Sequence, residues 1–455
     1  MSKLAHRIIL TCAGLVVLSC LAVVLVVVWP FLTGGGVEAE IAAIRAKGEP
    51  TKPTDLIRPE IPDSENAAII YDQAFGLLNR RMSTRASTEV IFNFLGNQSI
   101  REDPEAWSKL KRLVEQHQRA LALAHEAARR SKCRFPSSQT AGAGTGFAHG
   151  SRLGSIARLL AAEAILRASK NDIPGALSSI HACIRAGEAV ADEPSLASQL
   201  RRFSISGTYS RGLLAVMKIA HISEAQARTL DSELARVDLN SGLVSALQGD
   251  RAMAIGVFEE LRSKGTRKID EIYAGFSRDR AQPRRPIPGS SLVRLLLRPD
   301  EACYIRTSTK MIETAGLPYR EMRAKAPAGN DPGQSLPKYA VMSRMLLHNF
   351  DQSARARDEA IASIVCARVA LGLQAYRARH GTYPQNLKLL ESDLRWTVPN
   401  DPFSGRELVY KRAGAGFLLY SIGPDLKDDG GLQSKDRGYR YSDLRHGDVV
   451  WRVDR

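Results

Sequence analysis

The stretch LGSIARLLAAEAILRASKNDIPGALSSIHACIRAGEAVA, residues 153–191, decides the class of fold. Its apolar residues recur at three- and four-residue intervals from Leu153 to about Ser169, the spacing that keeps one helix face apolar. Asn171, Asp172, Pro174 and Gly175 then interrupt the pattern with turn chemistry, and a second helical run begins at Ala176. Two helices joined by so few residues fold back on each other. Small side chains such as Ala162 and Ala176 let the two axes approach closely. The reading is a helical hairpin.

Leu159, Ala162, Ala176 and Ile180 are arranged similarly to the contact positions of a tetratricopeptide-type helix pair, but no further copy follows at the 34-residue period such arrays need. Helical patterns continue over residues 193–217 and 223–261, the second opened by the capping-box spacing of Ser223 and Gln226. Upstream they cover 37–47, 66–80 and 104–130, with Asp103 as N-cap and Pro104 in the first turn of the last. Pro50, Pro53, Pro59 and Pro62 hold residues 48–63 extended. The glycine-rich run 140–150 lacks the preceding strand and the Lys-Ser/Thr pair of a phosphate loop, and reads as a linker. With 44% hydrophobic but only 6% aromatic residues, the chain is expected to be mainly α.

Residues 8–32 carry no charge and are rich in Val, Leu and Ile, where about 20 such residues suffice to cross a bilayer. Lys3 and Arg7 precede them and Trp29 lies near the far end, so the N-terminus is expected in the cytoplasm. A cleaved signal peptide has an apolar run of only about 7–15 residues. Val17-Leu18-Ser19-Cys20 resembles a lipobox, but the residues after Cys20 stay apolar. The segment reads as a retained anchor in a bacterial inner membrane, with the bulk of the chain extracytoplasmic. The expected division is 1–36 cytoplasmic tip and anchor, 37–339 helical domain, and 340–455 a C-terminal unit entered through the Pro/Gly-rich run 326–337.

The formal net charge of +16 would attract anionic partners in general, but the arginines are spread along the whole chain, which reads as a compositional habit. The densest basic run, 278–298, has Arg284-Arg285 between prolines but no aromatic residue for base stacking, so nucleic acid is not the expected partner. Of six cysteines, Cys12 and Cys20 lie in the apolar segment; Cys133, Cys183, Cys303 and Cys366 show no metal-ligand spacing. The pairing of any disulfides stays open.

From Ala340 a helical pattern runs to His380 and stops at Gly381, a C-cap residue. Leu387, Leu389 and Leu390 suggest one or two helical turns. Two alternating runs, 408–410 and 417–421, flank Ala413-Gly414-Ala415-Gly416, the signal of a β-hairpin, and a last strand covers 448–453. The string Ala375-Tyr376, Gly381-Thr382-Tyr383-Pro384, Pro399-Asn400-Asp401-Pro402-Phe403, Tyr410, Gly416-Phe417 and Tyr420-Ser421-Ile422-Gly423-Pro424-Asp425 resembles the C-terminal domain of type II secretion major pseudopilins. That resemblance implies a long helix on a small antiparallel sheet and calcium in the loop after the strand that ends in Tyr420-Ser421-Ile422-Gly423. Asp425 and Asp448 match the family's ion-binding positions; Asp428, Asp429 and Asp436 add carboxylates between them, a donor set suited to a hard cation. Lys427 interrupts the acidic pattern, and the alternative is a solvated turn whose aspartates cap backbone amides. The processed leader and the glutamate of pseudopilin N-termini have no counterpart between Met1 and Leu32, which argues against a filament subunit. As a whole the chain also resembles uncharacterised single-pass bacterial membrane proteins with an Asn66-Ala67-Ala68…Tyr71 segment and an Asp192-Glu193-Pro194 turn.

No H-E-x-x-H, G-x-S-x-G or Walker motif occurs; Ser335-x-x-Lys338 sits among prolines, and His117 and His125 read as a solvated helix face. The expected function is therefore non-enzymatic: an anchored extracytoplasmic scaffold or interaction protein whose C-terminal module contacts a protein partner in the envelope. The alternatives are a membrane-tethered hydrolase with an unrecognised site, or a binder of anionic polymer through arginine-rich segments.

Overall fold

The computed structural model describes residues 36–78, 91, 94–95, 103–136, 148–264, 290–325, 336–432 and 447–454. The expected anchor at 8–32, most of the glycine-rich and proline-rich runs at 140–150, 278–289 and 326–337, and Asp436 lie outside those residues. The chain follows as α1 (Val37–Ala46), a 3-10 turn (Pro53–Leu56), α2 (Ala67–Gly76), α3 (Pro104–Gln116), α4 (Gln118–Ala128), α5 (Ala148–Ser169), α6 (Ile173–Glu188) and α7 (Leu196–Ile219). It continues as α8 (Glu224–Leu234), α9 (Leu239–Lys264), α10 (Ser290–Ala315), α11 (Tyr319–Lys325), α12 (Val341–Leu346), α13 (Phe350–His380) and α14 (Lys388–Leu394). Three strands close it: β1 (Val409–Ala413), β2 (Gly416–Ser421) and β3 (Val449–Val453). The protein is mainly α with one small antiparallel sheet.

Helices α5 and α6 form the expected hairpin. Asp172 caps α6 by accepting from the Gly175 amide at 3.0 Å, and Leu159, Ala162, Ala176 and Ile180 are all fully buried at the crossing. Helix α7 lies against both. The Asp192-Glu193-Pro194 turn then packs on α9, where the Pro194 carbonyl oxygen would stand 2.0 Å from a β-carbon at position 249, so only glycine fits there.

Several expected helices are broken once more than their apolar pattern shows. The 104–130 run is two helices meeting at His117, whose ring is buried with Nδ1 2.8 Å from the Leu113 carbonyl. His125 is no surface residue either: its Nε2 lies 2.7 Å from Glu163 inside the hairpin. The 223–261 run breaks at residues 235–238, after the Ser223–Gln226 capping box forms as expected, and Asp238 opens α9 by accepting from Asn240 and Ser241 amides. The long C-terminal helix starts at Phe350, capped by Asn349, because the extended backbone of Leu347 separates it from α12. Apolar periodicity does not register such breaks, since the buried face continues across them.

Helix α13 is the axis of the molecule. One side packs on α7 and α8, tied by Arg368–Asp231 at 2.8 Å, Arg379–Glu224 at 2.8 Å and the Arg228 guanidinium 5.3 Å from the Trp396 ring centre. The other side carries the sheet, in order β1-β2-β3 and antiparallel throughout. Ala413 pairs with Gly416, leaving a two-residue turn in which Gly414 takes φ +55. One hydrophobic core holds buried residues from Ala67 to Leu247 and from Met311 to Val453, so α13 packs in it with both helices and sheet. A second, smaller core joins α1, α9, α10 and α12. Among the described residues one helical stretch, Val341–His380, is long and apolar enough to cross a membrane, but 72% of its apolar window is buried inside the fold. It is a core helix.

Candidate functional site

The acidic residues after β2 spend their oxygens on the chain itself. Asp425 accepts from the Lys427 amide at 3.2 Å and the Gly447 amide at 3.3 Å. Asp428 accepts from the Gly430 amide and the Tyr420 hydroxyl, both at 2.9 Å. Asp448 is buried and accepts from the Gly431 amide at 2.7 Å and the Asp429 amide at 3.4 Å; burial pushes its carboxyl above the usual range. Asp429 points outward, exposed. Among the described residues no three His, Cys, Asp or Glu side chains converge as ligands for an ion. Asp425, Asp428 and Asp448 have the geometry of amide caps, the alternative that their sequence spacing left open. The neighbouring Asp401 does the same deeper in the module, accepting from Phe403 and Ser404 amides and, at 2.6 Å, from the Ser421 hydroxyl.

A different cluster lies in the helical body. A cleft of about 530 Å³ lies between the extended chain at Pro59–Ile61, the start of α2, the segment after α4, and the last turn of α6. Asn66 builds it. Its carboxamide caps α2 through the Ala68 amide at 3.1 Å, accepts from the Arg134 amide at 2.8 Å and donates to the Arg134 carbonyl at 2.9 Å. A parallel bridge between Asn66 and Lys132 completes the clamp. Residues 132–134 are thereby held extended along α2, and alternate side chains of an extended run point the same way. Arg130, Lys132, Arg134 and Arg185 line the cleft together with Glu60, Glu188 and Asp192.

Which of these charges remain unused decides what the cleft can do. Glu188 is held on both oxygens by Arg202 of α7, at 2.9 and 2.6 Å. Asp192 pairs with Arg58 at 3.5 Å, and Lys132 with Glu65 at 2.7 Å. Arg185 donates to the Arg130 and Ser131 carbonyls at 2.8 and 3.2 Å, and Arg134 to the Pro59 carbonyl. Carbonyl bonds orient a guanidinium without cancelling its charge. Among the described residues, Arg130, Arg134 and Arg185 therefore line the cleft with Glu60 as the only uncommitted counter-charge in the lining.

Beneath the lining lies an aromatic cluster. Tyr71, buried, packs with Phe75 and Phe135 at ring distances of 6.2 and 6.3 Å, and Phe135 stacks at 4.4 Å on His149, which Glu193 holds at 2.8 Å. Burial pushes the Cys133 thiol up to about 12, so at neutral pH it is a thiol and not the nucleophilic thiolate. The four described cysteines are all free thiols. The arrangement can orient and hold an oxyanion, and guanidinium forks do that with directional paired bonds.

The sequence showed the parts but not the assembly. Asn66, Tyr71, Asp192 and Glu193, the residues of two unexplained short motifs, all meet around this cleft. The run Arg129-Arg130-Ser131-Lys132-Cys133-Arg134 is a visible basic signal, overshadowed by the longer one at 278–298. The chain matches no protein-family model, no curated protein and no solved structure.

Proposed function

We propose that this protein is a membrane-anchored, extracytoplasmic interaction protein that binds a ligand in the basic cleft rather than transforming one. The observation that carries the reading is the surplus of arginine charge in the lining after its internal pairs are counted. A preformed concave site with convergent polar groups is the ordinary form of a binding site. The apolar run 8–32 with Lys3 and Arg7 before it supports the anchor and an N-in orientation. The long helix on a small antiparallel sheet supports a pseudopilin-like module, here serving as a fixed brace of the body, since α13 belongs to both. Helix α1 supports a body held close to the membrane: it follows the expected anchor directly and is strapped to α10 by Arg298–Glu38 and by Arg306–Glu40 at 3.3 Å.

The test is topology. Alkaline phosphatase and a fluorescent protein are fused in turn to the C-terminus and expressed in a bacterial host. The expected result is an active phosphatase and a dark fluorescent fusion. A fluorescent cytoplasmic fusion with silent phosphatase would overturn the extracytoplasmic placement.

A further inference from the structure

We infer that the cleft receives an acidic segment of a partner protein, an inference that rests on its reading as a binding site. Charge complementarity is the first argument. Arg130, Arg134 and Arg185 line one face, and none of them is cancelled by a carboxylate within the lining other than Glu60. A ligand with two or more carboxylates would supply what the protein itself withholds.

Shape narrows the class. At about 530 Å³ the cleft takes a short chain segment rather than a lone inorganic ion. Two of its walls, residues 59–61 and 131–134, are non-helical chain cross-linked by the Arg134–Pro59 bond. Ile61, half-buried in the first of these walls, offers aliphatic carbon. Tyr71 is the one aromatic residue of the lining, and it is only 1% exposed, so no ring face is presented to a nucleobase. Two residues before Pro59 in the chain, Ile57 stands 63% exposed, one of four large apolar side chains exposed among the described residues. A segment that pairs carboxylates with a neighbouring aliphatic side chain meets both features, and protein chains carry that combination.

The experiment uses the full chain in detergent micelles with a fluorescein-labelled octaglutamate, an octaglutamine control and a hyaluronate octasaccharide. Octaglutamate is expected to bind and octaglutamine not. Binding should weaken at least tenfold between 50 and 200 mM salt, as counter-charge recognition requires. The double reversal Arg130→Glu with Arg134→Glu should weaken it tenfold or more, while Lys388→Glu on the exposed face of α14 changes it less than twofold. Because Arg134 also braces Pro59, Arg130→Gln alone, checked for an unchanged melting temperature, is the second variant and should weaken binding severalfold. Octaglutamate binding that ignores the cleft variants would overturn the inference. Hyaluronate bound in a cleft-dependent way, with octaglutamate silent, would overturn the protein partner and leave the cleft as a binding site. Silence from both probes would overturn the inference together with the reading beneath it.

Discussion

Two clusters of like charge, the acidic loop after β2 and the basic lining of the cleft, fold to opposite effect. The carboxylates of the C-terminal loop lie close in sequence, and each described one except Asp429 turns back on amides a few residues away or across the turn. The cleft's cations come from two distant stretches, 130–134 and Arg185, brought together by α2, α4 and α6, and their charge is not consumed where they meet. The difference is one of reach. An aspartate has a short side chain whose oxygens find the nearest N–H, so clustering in sequence tends to produce caps. An arginine has a long stem and a planar fork; it is oriented by carbonyls and still presents charge. Density of charge along a sequence is therefore a poor guide to a site, and charge left over after folding is a better one.

A third charged cluster, inside the hairpin, sets the scale for what a fully used charge contributes. Glu163 of α5 receives His125 at 2.7 Å, Arg167 at 2.8 Å and Ser179 at 2.8 Å. Burial alone would push its carboxyl up, but these donors outweigh burial and hold it below the ordinary value. Glu163→Gln should cost roughly 2–4 kcal/mol in urea unfolding at pH 7, the order expected when a buried hydrogen-bonded charge is removed. A carboxyl with a depressed folded pKa adds stability above its unfolded value of about 4.3 and loses it as pH falls through the folded one. The gap between wild type and Glu163→Gln should thus be full at pH 7 and narrow below about pH 4. A gap that stays constant down to pH 3 would mean that ionised Glu163 contributes nothing beyond its hydrogen-bonding shape.

The acidic loop should respond on a smaller scale. Asp425→Ala removes caps to two amides, with an expected loss of about 1 kcal/mol. If the loop is amide-capped as its geometry indicates, the melting temperature of the full chain in micelles will be the same in calcium, magnesium and chelator. A calcium-specific rise that Asp425→Ala abolishes would restore the cation reading, with Asp436 as the residue to test next.

Most of the fold was legible, and the reasons are local. Capping at Asp103, Ser223 and Gly381, the Asn171–Gly175 turn and the two-residue β-turn at Gly414 are short-range effects whose chemistry is written in adjacent residues. The breaks at His117, Arg236 and Leu347 were not legible, because tertiary packing, and not a Pro or Gly, sets them. The cleft was illegible for the same reason in stronger form. Asn66 looks like a plain N-cap in sequence, and nothing near it announces that its other bonds reach Arg134, 68 residues on. The aspartates of the acidic loop read alike in sequence whether they hold an ion or hold the chain; Asp425, Asp428 and Asp448 bond to the chain itself.

The contrast reduces to one comparison of stabilities at low ionic strength: Arg130→Gln in the cleft against Asp448→Ala in the loop, by urea unfolding of the full chain in micelles. If the cleft's charge is surplus to the fold, Arg130→Gln will change stability by no more than about 0.5 kcal/mol, since it removes no internal partner. Asp448→Ala will cost roughly 1–3 kcal/mol by stranding the buried amides it now caps. A loss of about 2 kcal/mol or more for Arg130→Gln would show that its charge is spent inside the protein, and would contradict the account.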